Sequence, residues 1–115
     1  MDSPEIVPHL QLRALAVRVL AAAGAEEADA RVVADHLVDA NLSGHDSHGI
    51  GMLPHYVRAI RAGVLDPRAH AAVDDQGGPV LTVDGRRGFG QVVAREAITA
   101  GVQRARALGL SLVAL

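Results

Sequence analysis

The sequence contains no cysteine, no lysine and no tryptophan, and its 115 residues include one tyrosine and one phenylalanine. Each absence removes a class of chemistry. Without cysteine there are no disulfides and no thiolate metal sites, which is compatible with a reducing compartment. All eleven basic residues are arginines, so the chain can neither form a Schiff base, nor hold pyridoxal phosphate covalently, nor build a phosphate loop ending in Lys-Ser/Thr. Half of the residues are formally hydrophobic, but 21 of them are alanine and only Tyr56 and Phe89 are aromatic. The apolar area available for burial is therefore smaller than the percentage suggests, and a self-sufficient core is marginal. Charge of one sign is also lacking: the formal net charge is −2 and the arginines are scattered in ones and twos, unlike the clustered basic footprint that binds nucleic acid. The opening "MDSPEIVPHLQLRALAVRVLAAAG" begins acidic, and Gln11, Arg13 and Arg18 break its apolar residues, unlike a secretory signal or a membrane span. A soluble, cytoplasmic protein with no membrane or nucleic-acid partner is expected.

What the chain does contain is helical periodicity. From Pro8 to Ala23, Leu12, Leu15, Val19 and Leu20 recur at helical spacing with arginines between them, and Gly24 is a natural stop. In "AEEADARVVADHLVDANLSG", Glu26 and Glu27 suit the positive end of a helix dipole, Val33, Leu37 and Ala40 line one face, and Gly44 follows the end. A third, short helix opens at Pro54, carries Val57 and Ile60 three apart, and closes at Gly63.

The pattern changes beyond Asp66-Pro67. "HAAV" and "PVLTV" are short apolar runs separated by "DDQGG", and Asp84-Gly85 ends the second, which predicts strand, turn, strand. Val92, Ile98, Val102 and Ala105 then fit a helix over 91–108 capped by Gly109, and "LSLVAL" predicts a strand buried on both faces. Strand, helix, strand in that order implies a right-handed parallel crossover. The expected fold class is mixed α/β: a helical N-terminal bundle over 1–66, then the beginning of a mixed-sheet domain over 67–115. Because the last apolar strand runs to Leu115 without a turn or cap, a fragment of a larger domain is expected.

Titratable residues gather between the second and third helices, in "SGHDSHGIGMLPHYVRAI". Three readings compete there. His45, His48 and His55 with Asp46 offer metal ligands, but their spacing matches no zinc signature. Acid–base chemistry is the second: histidine titrates nearest neutrality, and Ser47 beside His48, among glycines 44, 49 and 51, lets backbone and imidazole approach a small ligand. The third is structural, with these residues capping backbone groups at a helix-to-helix turn. Functional residues are often carried on loops held by rigid elements.

"GHDSHGIGMLPHYVRAIRAG", "VDGRRGFGQVVAREAI" and "ARALGLSLVAL" together resemble the type 2 malate/L-lactate dehydrogenase family of NAD(P)-dependent 2-hydroxyacid oxidoreductases. The Ser-His-Gly followed by Pro and Tyr is most similar to its hydroxycarboxylate dehydrogenase branch. The resemblance implies a family-specific fold rather than a Rossmann domain, a 2-hydroxy or 2-keto acid substrate, NAD or NADP as cofactor, and an active site completed in a homodimer; no metal is expected, because the histidine spacing matches no zinc signature. The resemblance also implies that His48 lies at nicotinamide and substrate, that Ser47 takes part with it in proton relay, and that Gly49 and Gln91 lie near the cofactor. Reducing a 2-keto acid delivers a hydride to carbon and a proton to oxygen, so an acid such as His48 must reach that oxygen. Gly88-Phe89-Gly90 before a helix imitates a dinucleotide fingerprint, but its third glycine would fall at Val93 and no acidic residue follows the next strand. Two glycines making a tight strand-to-helix turn explain Gly88 and Gly90 as well.

Several relatives carry an arginine four residues after the motif histidine, suited to clamp a carboxylate, and here Met52 stands there. Arg58 and Arg61 are possible substitutes or simply a solvated face. The family has a further histidine shortly after the strand that ends here at Leu115, with more catalytic and cofactor-binding residues beyond, so the chain alone is expected to be inactive. The alternative is a non-catalytic binding or assembly module, or the remnant of a truncated gene.

Overall fold

A computed structural model describes residues 3–115; Met1 and Asp2, the start of the acidic opening, lie outside the described residues. Four α-helices and a three-stranded mixed sheet are the main elements of the described residues. Helices α1 (His9–Ala22), α2 (Glu27–Leu42) and α3 (Leu53–Arg61) come first, followed by β1 (Ala72–Asp75), β2 (Val80–Asp84), α4 (Gly90–Leu108) and β3 (Leu112–Ala114). The helix stops expected at Gly24, Gly44, Gly63 and Gly109 are all present, each glycine with φ between +70° and +113°, a left-handed cap that other residues rarely adopt.

Arg13 of α1 reaches α2, donating to Asp35 at 2.7 Å and pairing with Asp39. Between the helices lie Ala16, Leu20, Ala30, Val33, Ala34 and Leu37, and Leu53, Phe89 and Val92 join the same buried cluster. The core thus runs from the first helices into α4. Its two aromatics meet edge to face, the Tyr56 and Phe89 rings 5.9 Å apart at 89°, an arrangement favoured by ring quadrupoles. Leu15, expected on the inner face, is half exposed.

β1 and β2 form an antiparallel hairpin, Ala72 opposite Asp84 and Asp75 opposite Leu81. β3 pairs with β2 in parallel, Leu81 opposite Val113, as the strand-helix-strand order requires. Three expectations need correction. Asp74 and Asp75 belong to β1 rather than to the turn, because the Arg104 guanidinium of α4 pairs with Asp75 and donates to the Gly78 carbonyl at 2.7 Å. That pairing, with the Gly77 N–H donating first, holds the Asp75 carboxyl below its usual range. The inner face of α4 is Val92, Val93, Ala97 and Gly101, while Ile98 and Val102 point outward. Small residues let the helix lie close on the sheet: a Cβ on Gly101 would stand 2.6 Å from Val113 Cγ2. Nor is the last strand buried on both faces. β3 is an edge of the order β1-β2-β3, with Leu110 and Leu112 exposed, since α4 covers only the side toward which Val113 points.

His70, just before β1, joins the helices to the sheet. Its Nδ1 lies 2.6 Å from Glu96 of α4 and its Nε2 3.2 Å from Asp29 of α2, while the Ala71 N–H donates to the other Glu96 oxygen at 2.7 Å. Asp29 is the one buried charged residue among those described. No helix among the described residues is long and apolar enough to cross a membrane.

Candidate active site

The segment between α2 and α3 folds into two single 3₁₀ turns, Asp46–His48 and Ile50–Met52, hinged at Gly49. Backbone bonds from His48 to His45 (3.0 Å), Gly49 to Asp46 (3.1 Å) and Met52 to Gly49 (3.0 Å) close them. Such turns are short-lived on their own and depend on their surroundings. α2 supplies those surroundings: the Gly44 cap directs the chain back, with the His45 N–H donating to the Ala40 carbonyl at 2.8 Å.

Ser47 and His48 are exposed and joined, Ser47 Oγ lying 2.9 Å from His48 Nδ1. His48 Nε2 has no protein partner among the described residues. The His45 ring stands edge-on to it at 5.8 Å. A hydroxyl on one ring nitrogen and an outward second nitrogen are compatible with a proton relay, since Ser47 Oγ can donate to Nδ1 or accept from it. No group of three potential ligands capable of holding a metal ion occurs among the described residues, His45, Asp46, His48 and His55 included.

The other expected site residues have different surroundings. Gly49 is buried beneath the turn. Met52 is half-buried and packs on the hydrophobic core. Arg58 and Arg61 are exposed in the last turn of α3, where a cation complements the helix dipole. Gln91, at the start of α4, donates to the Tyr56 hydroxyl at 2.8 Å and lines a cleft of about 740 Å³ together with His36, Tyr56, Gly90, Arg95 and Ile98. His48 does not line that cleft. A Cβ on Gly88 would stand 2.7 Å from the Ala69 carbonyl, whereas Gly90 faces open space. The close turn therefore accounts for Gly88 but not for Gly90.

Sequence reasoning missed Asn41, which bonds both ends of the turn. Its Nδ2 donates to Asp46 Oδ1 and its Oδ1 accepts from the Ile50 N–H, each at 2.7 Å. The available signal was a carboxamide at a helix end, a residue type that bonds nearby backbone.

The family model for malate/L-lactate dehydrogenase matches residues 7–115. The chain belongs to the malate/L-lactate dehydrogenase family. Hydroxycarboxylate dehydrogenase B of Escherichia coli K12 is 51% identical over 92 residues, covering 80% of this chain and 26% of that protein. Malate dehydrogenase of Pyrococcus abyssi is 37% identical over 95% of this chain and 30% of its own length. Among solved structures, sulfolactate dehydrogenase of Methanocaldococcus jannaschii superposes with a TM-score of 0.88 at 33% identity, covering 95% of this chain and 32% of that one. The chain thus spans between a quarter and a third of the length of these relatives. The higher identity to the hydroxycarboxylate enzyme agrees with the motif resemblance.

Proposed function

We propose that this chain supplies the proton-transferring half of an NAD(P)-dependent 2-hydroxyacid dehydrogenase site, with His48 as the acid–base and Ser47 as its relay. The exposed Ser47–His48 pair, held at 2.9 Å within the family motif, carries this reading. The donor set fits a nicotinamide reaction in one respect: an imidazole and a hydroxyl can move a proton, but no side chain here can carry a hydride. NAD or NADP, when bound, supplies or accepts that hydride. His48, the Gly49 backbone and Gln91 are the residues of this chain that would hold it. The buried Val93, where a dinucleotide fingerprint needs glycine, supports a family-specific mode of binding over a Rossmann one.

His48 Nε2 donates its proton to the substrate oxygen when a 2-keto acid is reduced and takes it back when a 2-hydroxyacid is oxidised. Ser47 bonds Nδ1 and keeps the ring oriented. Met52 cannot pair with an anion, so the substrate carboxylate is held by other residues of the complete site. In this reading the working enzyme is a cytoplasmic homodimer, and 1–66 and 67–115 are its helical region and the start of its sheet domain.

The test is a chimera in which this chain replaces the matching segment of the E. coli hydroxycarboxylate dehydrogenase. It should oxidise hydroxycarboxylates with NAD(P), and His48→Ala should lower kcat by about two to four powers of ten. The 115-residue chain alone should show no turnover. An unchanged kcat in a folded, cofactor-binding His48→Ala chimera would overturn the role of His48. A second reading, an assembly module, is favoured by the exposed Ile98, Leu110 and Leu112; a folded chimera that neither binds NAD(P)H nor turns over would support it.

A further inference from the structure

We propose that Asn41 is the positioning residue for His48: its carboxamide clamps Asp46 and Ile50, fixing the three residues between them, and it is the reason that residue 49 is glycine. The proposal rests on the reading of His48 as the group that exchanges a proton.

The amide orientation is unambiguous. The Ile50 N–H can only donate and the Asp46 carboxylate can only accept, so Oδ1 faces the first and Nδ2 the second, both at 2.7 Å. These contacts bracket Ser47, His48 and Gly49. The clamp springs from the penultimate residue of α2, a helix held by the core and by Arg13, so it transmits the rigidity of the bundle to a turn that has little of its own. Gly49 has φ −90° and ψ −155°, a conformation that does not call for glycine. Space does. A Cβ built there would overlap Oδ1, Cγ and Nδ2 of Asn41 together, so the carboxamide lies directly against the Gly49 backbone. Side chain and glycine form one interlock, and His48 is its neighbour along the chain.

The experiment is NMR of the 115-residue chain, reading the His48 ring nitrogens and amide exchange. In the native chain the Ser47 contact should show in His48 ring-nitrogen shifts distinct from those of a free imidazole. Asn41→Ala should move the ring-nitrogen shifts toward those of an unconstrained histidine and speed Ile50 exchange at least about tenfold, with the α1–α2 amides and the His70 ring unchanged. Asn41→Asp alone sets two carboxylates face to face and should do the same. Asn41→Asp combined with Asp46→Asn reverses donor and acceptor, restores both bonds and should return the native His48 pattern. Unchanged ring shifts in Asn41→Ala, or no restoration by the reversed pair while the bundle amides stay native, would overturn the proposal. Thermal unfolding provides a second measurement: Gly49→Ala should lower Tm in the native background and much less in Asn41→Ala, and equal losses would overturn the interlock. These readouts need no turnover. Their failure removes Asn41 alone, whereas an active His48→Ala chimera removes the catalytic reading and leaves the clamp intact.

Discussion

His70 presents both ring nitrogens to carboxylates, Nδ1 to Glu96 and Nε2 to Asp29. A neutral imidazole has one N–H, so both contacts are satisfied only by the cation. The hydrogen bond to Glu96 and then the charge of Asp29 accordingly raise the His70 pKa above its ordinary 6.5. For Glu96, burial pushes the carboxyl up, but the Ala71 N–H and His70 together outweigh it and bring the pKa below 4.5. The His70 contribution to stability is complete below pH 6.5 and disappears as pH rises through its raised pKa. That of Glu96 is complete above 4.5 and disappears as pH falls through its lowered one. Tm should therefore be highest between about pH 4.5 and 6.5 with respect to this cluster, and His70→Ala should flatten the decline above pH 6.5, as calorimetry against pH would measure. His70 is about half exposed, so solvent screening keeps the slope modest. At this scale the sequence is least informative: nothing in "DPRAHAAV" reveals that residue 70 meets residues 29 and 96, or that Asn41 meets Ile50. Ser47 and His48, being adjacent, needed no tertiary structure to be paired.

Elements were more legible. The four helix stops are local events: a glycine that can take positive φ ends a helix wherever apolar periodicity ceases. The hairpin was visible too, but its edge depended on Arg104, which neutralises Asp75 from 29 residues away and allows a charged strand end. The inner face of α4 was misjudged because periodicity weighs large side chains, whereas helix and sheet approach closely through Ala97 and Gly101. Alanine at 101 should gain about 1 kcal/mol in helix propensity but lose about 1–3 kcal/mol by overpacking against Val113, whose branched Cβ rotates poorly. Gly101→Ala should therefore lower Tm in the native chain and raise it in a Val113→Ala background. A drop of equal size in both would show that Val113 is not the obstacle.

The whole molecule measures 57 × 30 × 22 Å, with a radius of gyration of 16.4 Å against about 13 Å for a compact domain of this length. Ile98, Val102 and Leu108 are exposed on α4, and Leu110, Leu112 and Leu115 are exposed on and around the edge strand β3. Exposed apolar side chains in such number promote association. Light scattering should show oligomers growing with concentration, and Leu110→Ser with Leu112→Ser should suppress them; a native chain that stays monomeric throughout would contradict this. The marginal core expected from 21 alanines and two aromatics is visible here, concentrated where α1, α2 and the start of α4 converge. The edge-on packing of Tyr56 against Phe89 gives the chain an intrinsic optical probe. With no tryptophan to mask it, the single phenol should report, through its ultraviolet emission and near-ultraviolet dichroism, whether the seam between the helical layer and α4 is shut.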